Sequence, residues 1–170
     1  MPLEKRWSVK SRGEAQAVAE LAAGQKISPV LANLLVQRGI DTNEKASRFF
    51  NPRLEELHDP FLMKDMDKAV ERINRAIALG EKIAVFGDYD VDGITATCLL
   101  TDFLRKNGAD CVPYIPGRLE EGYGLNPIAI HQLHAEGVNL IITVDCGITA
   151  IAEAELCREL GIDLVITDHH

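Results

Sequence analysis

The chain has 170 residues, of which 46% are hydrophobic and 26% are charged, so it is long and apolar enough to bury a core in one or two domains. It has no apolar run of membrane-spanning length and no signal segment, which argues against a membrane protein and favours a soluble, cytoplasmic one. It has no CxxC pair of cysteines, which argues against a disulfide or zinc framework. The net charge of −8 excludes a chain that is basic overall.

Residues 1–80 are predicted to form a small helical region. The segment SPVLANLLVQRG has apolar residues at helical spacing, begins at Ser28 with a proline in the first turn, and ends at Gly39. TNEKASRFF predicts a second short helix that ends before Pro52. A third helix is expected from about Asp65 to Leu79, since its apolar residues share one face and Gly80 follows.

Residues 81–170 show a different pattern, which predicts an α/β domain. Four short β-rich runs, KIAVFG, ADCVPYI, NLIITV and DLVIT, are separated by helix-length segments at about 94–107, 127–136 and 149–160. Strands that are apolar throughout and alternate with helices indicate a doubly wound, mostly parallel sheet covered on both faces. In such sheets the ligand site lies beyond the carboxyl ends of the strands.

The negative charge is concentrated in this second region. Residues 1–80 carry 13 Lys or Arg and 11 Asp or Glu, whereas residues 81–170 carry 5 and 15. A group of carboxylates that holds divalent cations, which then attract phosphate, would explain this imbalance. An acidic, solvated surface would explain it equally well, and charge alone does not separate the two.

The first acidic motif, GDYDVDG, follows the first predicted strand. In extended chain its carboxylates, Asp88, Asp90 and Asp92, project to the same side and favour Mg²⁺ or Mn²⁺ as a counter-ion. The alternatives are an Asp-rich turn or a calcium loop. The calcium loop is disfavoured because the motif follows a strand and lacks the glutamate that such a loop requires.

Further metal-binding residue types follow the third and fourth strands. Asp145 closes the third strand, and Asp168, His169 and His170 close the fourth. When GVNLIITVD and GIDLVITDH are aligned from their glycines, His169 matches Asp145. Strand alternation then predicts His169 as a metal ligand and Asp168 as a residue that orients it or makes a structural hydrogen bond. Taken alone, Asp145 could equally be a helix cap.

The loop IPGRLEEGYGLN, residues 115–126, follows the second strand. It is rich in glycine, and Arg118 is its only basic residue. An arginine near a metal site suits bidentate binding of phosphate. The alternative is a surface loop in which Arg118 pairs with Glu120 or Glu121, and spacing does not decide between them.

GDYDVDG, TVDCG and TDHH, each at the end of a strand, resemble the first three motifs of the DHH phosphoesterase superfamily. The loop IPGRLEEGYGLN and the segment beginning FFNPRLEELHDP are similar to those of its bacterial single-strand-specific 5′→3′ DNA exonucleases. The resemblance extends from about Ile27 onward. It implies that residues 81–170 are the N-terminal part of an incomplete DHH catalytic domain.

The resemblance also implies roles for individual residues and a two-metal hydrolysis that uses Mn²⁺ or Mg²⁺. His170 would lie against the scissile phosphate, and Arg118 would contact phosphate, plausibly at the 5′ end. The implied metal ligands are Asp90, Asp92, Asp145, which would bridge two ions, and His169, together with Asp88 of the same acidic motif. The expected substrate is single-stranded DNA with a 5′ phosphate, in DNA repair and recombination. A monomer is expected, with single-strand-binding protein and a helicase as further partners.

The chain also departs from this pattern. Enzymes of this kind use a further aspartate on a later strand and a second, basic lobe, and neither is in the sequence. We therefore expect this chain alone to bind metal weakly at best and to lack useful exonuclease activity.

Two alternative functions stay open. One is a non-catalytic relative that binds nucleic acid or replication proteins, which the intact acidic motifs disfavour. The other is a different DHH hydrolase of short oligonucleotides or of pyrophosphate. A pyrophosphatase is disfavoured because Phe86 stands where those enzymes carry a histidine.

Overall fold

A computed structural model describes residues 6–117 and 121–169. The chain divides into two compact units between Asp59 and Pro60. This division lies about twenty residues before Gly80, where the sequence pattern changes, because the helix that precedes Gly80 packs against the sheet. Ile73 and Ile77 of that helix contact the same core as Ile83 of the first strand.

The first unit is helical. It contains α1 (Ala15–Gln25), α2 (Pro29–Val36), α3 (Asn43–Phe50) and a 3₁₀ turn (Leu54–Glu56). The hydroxyls of Ser28 and Thr42 accept hydrogen bonds from backbone N–H groups in the first turns of α2 and α3, which confirms two of the predicted helix starts. The sequence analysis did not delimit α1, which packs on both other helices. The small core of this unit is Leu21, Ala32, Leu35 and Ala46.

The second unit is an α/β sandwich. It contains a 3₁₀ turn (Pro60–Leu62), α4 (Met66–Leu79), β1 (Lys82–Gly87), α5 (Val91–Lys106), β2 (Cys111–Tyr114), α6 (Pro127–Ala135), β3 (Val138–Val144), α7 (Ile151–Glu159) and β4 (Asp163–Thr167). The strands are all parallel in the order β2-β1-β3-β4. The predicted doubly wound parallel sheet is therefore confirmed.

Two separate cores cover the two faces of the sheet. Ile83, Val85, Leu140 and Ile142 pack with residues of α4 and α5, and the residues that alternate with them pack with α6 and α7. The two central strands, β1 and β3, are almost completely buried. This explains why their sequences are apolar throughout and do not alternate with polar residues.

The order of the strands determines where a ligand can bind. β1 is connected to β2 on one side of the sheet, and β3 is connected to β4 on the other, so the direction of winding reverses between the neighbours β1 and β3. The helices leave a crevice at the carboxyl ends of such a pair. Asp88 follows β1 directly, and Asp145 follows β3 directly.

The opposite, amino-terminal edge of the sheet is held by an ion-pair cluster. Arg72 of α4 donates to Glu81 at 2.6 Å and to Asp163 at 2.5 Å, which ties the helix to the start of β4. The side chain of Arg72 is only 14% exposed. Among the helices of the described residues, none is long and apolar enough to cross a membrane.

Candidate metal centre

Asp88 lies buried at the crevice between β1 and β3. The residue is 2% exposed, and its Oδ1 has no hydrogen-bond donor among the described residues. A buried carboxylate oxygen without a donor raises the free energy of the folded state, so such atoms are rare in proteins. A cation bound at this oxygen would remove that cost.

Two glycines of the GDYDVDG motif allow the chain to turn tightly around Asp88. A Cβ atom on Gly93 would lie 2.5 Å from the carbonyl oxygen of Asp88 and 2.6 Å from its nitrogen. A Cβ atom on Gly87 would lie 2.0 Å from the hydroxyl of Thr97, which itself donates to the Gly93 carbonyl. The first turn of α5 therefore touches the backbone of Asp88, and only glycine permits this approach.

Asp90 and Asp92 are placed differently from the sequence prediction. α5 begins at Val91, not near residue 94, so the two residues do not share one side of an extended chain. Asp90 caps the helix, since its Oδ1 accepts from the backbone N–H groups of Asp92 and Gly93, each at 3.0 Å. Asp92 is exposed in the first turn. Their expected roles as metal ligands stay predictions.

Asp145 ends β3 in a left-handed conformation, with φ of 62°. Aspartate tolerates this conformation better than most residues, and such backbone is more frequent at functional sites. Its N–H donates to the carbonyl of Thr167 at 3.0 Å, which continues the pairing of β3 with β4. The carboxylate is only 8% exposed, and its Oδ1 has no hydrogen-bond donor among the described residues.

His169 meets Asp145. Its Nε2 lies 2.7 Å from Asp145 Oδ1, but the two atoms do not have the alignment of a hydrogen bond. Adjacent ligands of one octahedral Mg²⁺ are about 2.9 Å apart, given bonds of about 2.0–2.1 Å. The spacing of these two atoms therefore fits two ligands of one ion, and an oxygen with an imidazole nitrogen suits Mn²⁺.

The strand-alternation argument that predicted His169 was wrong in its register. β3 pairs with β4 through Val144 opposite Thr167, so one further step brings Asp168, not His169, alongside Asp145. His169 nevertheless reaches Asp145 because both strands have ended and the left-handed backbone of Asp145 breaks the alternation. The contact depends on the turn after each strand and not on the alternation of side chains along the strands.

Asp168 makes structural hydrogen bonds in the turns after β3 and β4. Its Oδ2 accepts from the N–H of Ile148 at 2.9 Å, and its Oδ1 accepts from the N–H of His169 at 2.7 Å. The carboxylate thereby fixes the loop that follows Asp145 and the backbone of His169. These bonds match the structural alternative predicted for Asp168, and its role in orienting the His169 imidazole stays a prediction.

Two of the predicted site residues, Arg118 and His170, lie outside the described residues. The ends of the loop around Arg118 are fixed by Glu121. Its Oε1 accepts from the N–H of Gly117 at 2.9 Å, and its Oε2 accepts from the Tyr114 hydroxyl at 2.8 Å. Both carboxylate oxygens of Glu121 thus already accept hydrogen bonds.

Two tyrosines near these acids received no role in the sequence analysis. The Tyr123 ring is 56% exposed and lies edge-on to the Tyr89 ring, with centroids 6.3 Å apart. Partial desolvation, and then the nearby carboxylates of Asp88, Asp168 and Asp145, raise the pKa of Tyr123. The only sequence signal was a tyrosine in each of two motifs.

Cys146 is a buried neighbour of the same acids. It is fully buried, and its thiol lies 3.9 Å from the carbonyl oxygen of Phe86. Burial, reinforced by Asp168, Asp88 and Asp145, raises the pKa of Cys146 to about 12. The thiol is therefore protonated at neutral pH and packs as a small apolar group.

The acids are not arranged as a complete metal site. Within residues 6–117 and 121–169, no three His, Cys, Asp or Glu side chains are close enough together to hold one ion. A surface cavity of about 400 Å³ lies along α7, between Gly147 and Ile166, and is not lined by the predicted ligands. The Asp145–His169 pair and the buried Asp88 oxygen are the features of the structure that favour metal binding.

Comparison with known proteins agrees with this interpretation. The DHH family, N-terminal domain, matches residues 82–170, which is slightly more than half of the chain. The chain belongs to the DHH family. The match covers every strand of the sheet together with Asp88, Asp145 and His169.

The similarity to individual DHH proteins extends over almost the whole chain. The chain is 45% identical over 165 residues to the single-stranded-DNA-specific exonuclease RecJ of Bacillus subtilis. The aligned residues are 97% of this chain and 21% of that protein. It is 38% identical over 160 residues to RecJ of Escherichia coli, which is 94% of this chain and 27% of the relative. The chain thus spans about a fifth to a quarter of the length of these relatives.

Solved structures of RecJ proteins that resemble this chain contain metal ions. RecJ of Thermus thermophilus in complex with Mn²⁺ is 32% identical with a TM-score of 0.69, over 97% of this chain and 22% of that one. The same protein with Mg²⁺ is 27% identical with a TM-score of 0.58, over 97% of this chain and 20% of that one. A RecJ bound to manganese is 44% identical with a TM-score of 0.60, over 64% and 28%.

Proposed function

We propose that this chain forms part of a metal-dependent exonuclease that degrades single-stranded DNA in the 5′→3′ direction. The observation that carries the proposal is the Asp145–His169 pair, whose donor atoms are 2.7 Å apart at the carboxyl end of β3. The buried Asp88 oxygen at the neighbouring strand end supports it, as does the similarity to the RecJ exonucleases.

Asp145 and His169 would hold Mn²⁺ or Mg²⁺, together with Asp88, Asp90 and Asp92. For Asp90 to take part, the oxygen that does not cap α5 would have to face the ion. When bound, such ions activate water and neutralise the charge of the phosphate oxygens. The carboxylate of Asp168 would hold the backbone of His169 through its hydrogen bond at 2.7 Å.

The remaining roles concern the substrate and the cell. Arg118 would bind phosphate at the 5′ end, and His170 would contact the scissile phosphate. The activity would serve DNA repair and recombination in the cytoplasm, by a monomer that works with single-strand-binding protein and a helicase. These roles follow from the resemblance of the motifs.

A segment exchange tests the proposal directly. The 165 residues of Bacillus subtilis RecJ that match this chain would be replaced by those of this chain, and nucleotide release from single-stranded DNA with a labelled 5′ end would be measured in Mn²⁺. We expect the hybrid to release nucleotides from the 5′ end and to lose the activity with Asp145→Asn.

The same hybrid discriminates between the alternatives. Full activity of the Asp145→Asn variant would contradict the proposal, as would a folded hybrid without activity. Equally fast release from double-stranded ends would contradict the single-strand specificity. An exposed acid of the same unit, Asp110, provides the matched control, since Asp110→Asn should leave the rate unchanged.

A further inference from the structure

Glu121, between β2 and α6, forms hydrogen bonds with three separate parts of the chain. Its Oε1 accepts from the N–H of Gly117 at 2.9 Å, and its Oε2 accepts from the hydroxyl of Tyr114, the last residue of β2, at 2.8 Å. Oε2 also accepts from the side-chain amide of Asn126, the N-cap residue of α6, at 3.4 Å. One carboxylate therefore connects the end of β2, the start of the loop and the start of α6.

These hydrogen bonds require an ionised carboxylate and a protonated phenol. The bond from the Gly117 N–H, and then those from Tyr114 and Asn126, lower the pKa of Glu121. Burial, and then the bond to Glu121, raise the pKa of Tyr114 to about 12. At neutral pH the tyrosine therefore donates and the carboxylate accepts, which is the stronger form of a hydrogen bond between these two groups.

The Tyr114 ring links this carboxylate to the strand that ends at Asp88. It stacks on the ring of Phe86 with centroids 5.2 Å apart and an interplanar angle of 13°. Phe86 is fully buried in β1, lies opposite Tyr114 in the sheet register, and precedes Asp88 by two residues. The position of Glu121 relative to the candidate metal centre is therefore fixed through the sheet.

We propose that Glu121 is a positioning residue that fixes the loop between β2 and α6 relative to the metal centre and thereby sets the preference of the enzyme for a 5′-terminal phosphate. The inference rests on the proposed function, in which Arg118, the residue after Gly117 in the sequence, binds that phosphate. Small displacements of a substrate-binding group cost much of its effect, so a fixed loop is needed. Glu121 acts through the loop, since both of its oxygens already accept hydrogen bonds from the protein.

A role in stability alone predicts a different result. If Glu121 only stabilises the fold, its removal lowers the free energy of unfolding and leaves the preference for a 5′ phosphate unchanged. If Glu121 positions the loop, its removal weakens the binding of a phosphorylated strand and leaves the affinity for a 5′-hydroxyl strand unchanged.

The test compares two single strands that differ only in the group at the 5′ end. A fluorescent strand bound to the RecJ hybrid in Ca²⁺, a hard cation that takes oxygen ligands, would be displaced by either competitor, and fluorescence anisotropy would give the two affinities. We expect the 5′ phosphate to tighten binding by about 10- to 150-fold, the range for hydrogen bonds to a charged group. Glu121→Ala should remove most of this preference.

Three further variants refine the test. Glu121→Gln keeps a carbonyl oxygen for the Gly117 N–H and should retain more of the preference than Glu121→Ala. Tyr114→Phe keeps the ring on Phe86 but loses one donor to Glu121, so a partial loss is expected, and it replaces Glu121→Ala if circular dichroism shows that variant to be unfolded. Glu159→Ala, at an exposed acid of the same unit, is the matched control and should change nothing.

Three results would overturn the inference: no preference of the hybrid for the phosphorylated strand, an unchanged preference in Glu121→Ala, or an equal loss of affinity for both strands. The proposed function fails by a different result, which is the absence of metal-dependent hydrolysis in the hybrid. A hybrid without hydrolysis that loses its 5′-phosphate preference with Glu121→Ala would confirm the positioning role and contradict the nuclease.

Discussion

The charged groups at the two edges of the sheet are arranged in opposite ways. At the amino-terminal edge, Glu81 and Asp163 are paired with Arg72, and one buried nitrogen of that arginine, Nη1, has no acceptor among the described residues. At the carboxyl-terminal edge, Asp88 and Asp145 each keep a buried oxygen without a hydrogen-bond donor. The amino-terminal edge therefore contains its own cation, Arg72, whereas the carboxyl-terminal edge has carboxylate oxygens without a hydrogen-bond donor.

This difference separates a structural cluster from a binding site. A protein that needed these acids only for stability would pair them, as it does at the amino-terminal edge. Buried carboxylate oxygens without a hydrogen-bond donor lower stability and are expected to be kept for a ligand, and the imidazole that Asp145 does meet, that of His169, is itself a metal-binding group. The comparison therefore predicts opposite effects of mutation at the two edges.

The largest effect is expected at the carboxyl-terminal edge. Asp88→Asn replaces a buried carboxylate by a neutral amide, so the metal-free chain should be equally stable or up to about 1 kcal/mol more stable. Its affinity for Mn²⁺ should fall by about 100-fold, since loss of outer hydrogen-bond partners alone costs 10- to 100-fold. Urea unfolding and isothermal titration calorimetry measure the two quantities.

Asp110→Asn is the control for this prediction because Asp110 is an exposed acid of the same unit. It should change neither stability nor Mn²⁺ affinity. A strong loss of stability in Asp88→Asn, with unchanged metal affinity, would show that Asp88 is structural. The contrast between the two edges of the sheet would then be lost.

The second effect concerns the amino-terminal edge. Arg72→Met removes both ion pairs of the cluster, leaving Glu81 without its cation and Asp163 with only the exposed Arg75, so the free energy of unfolding should fall by about 2 kcal/mol. Mn²⁺ affinity should stay the same. Arg75→Met is the matched control: Arg75 is 61% exposed and 3.6 Å from Asp163, so the cost should be below about 0.5 kcal/mol.

The fold was predictable because it depends on long apolar patterns. KIAVFG and DLVIT correspond to β1 and β4 residue for residue, and the strand order follows the winding that parallel sheets adopt. Asp88 and Asp145 were predictable as candidate site residues for the same reason. Each is the first residue after a buried central strand.

The finer geometry depends on single turns that no periodicity encodes. Asp90 follows the pattern of a metal-binding motif, but the same residue type also caps helices, and here the Asp90 cap starts α5 at Val91, three residues before the predicted start. The pairing of His169 with Asp145 required the left-handed backbone at residue 145. The contact of the Tyr123 ring with the Tyr89 ring required the tertiary structure.

A third acid, Glu121, should show the pH dependence of a paired carboxylate. Hydrogen bonds from the Gly117 N–H, and then from Tyr114 and Asn126, lower its pKa below the ordinary 4.5. A lowered pKa stabilises the fold above pH 4.5, and this stabilisation is lost as the pH falls through the folded-state value. Glu121→Gln should cost about 1 kcal/mol at pH 7.

The difference between Glu121→Gln and the parent chain should therefore shrink as the pH falls below 4.5 and disappear once the pH is below the lowered pKa of Glu121, when urea unfolding is repeated along a pH series. Glu159→Gln, at an exposed position, should show no difference at either pH. A constant difference at every pH would mean that the charge of Glu121 does not matter. The loop would then be held in place without any contribution from the charge of this carboxylate.

The smallest effect is on thiol chemistry and reports on the carboxyl-terminal edge without disturbing it. Cys146 lies among the acids with a pKa of about 12, and burial raises the pKa of Cys157 to about 11 and that of Cys111 as well. Cys98, on α5, is exposed. Since the thiolate is the reactive form, a thiol reagent at pH 8 should modify Cys98 alone in the folded chain and all four cysteines in denaturant. Mass spectrometry locates the modification, and Cys98→Ser should abolish the fast reaction.

Rapid modification of Cys146 would mean that this edge opens in solution. The oxygens of Asp88 and Asp145 that have no hydrogen-bond donor would then be hydrated and would no longer require a cation.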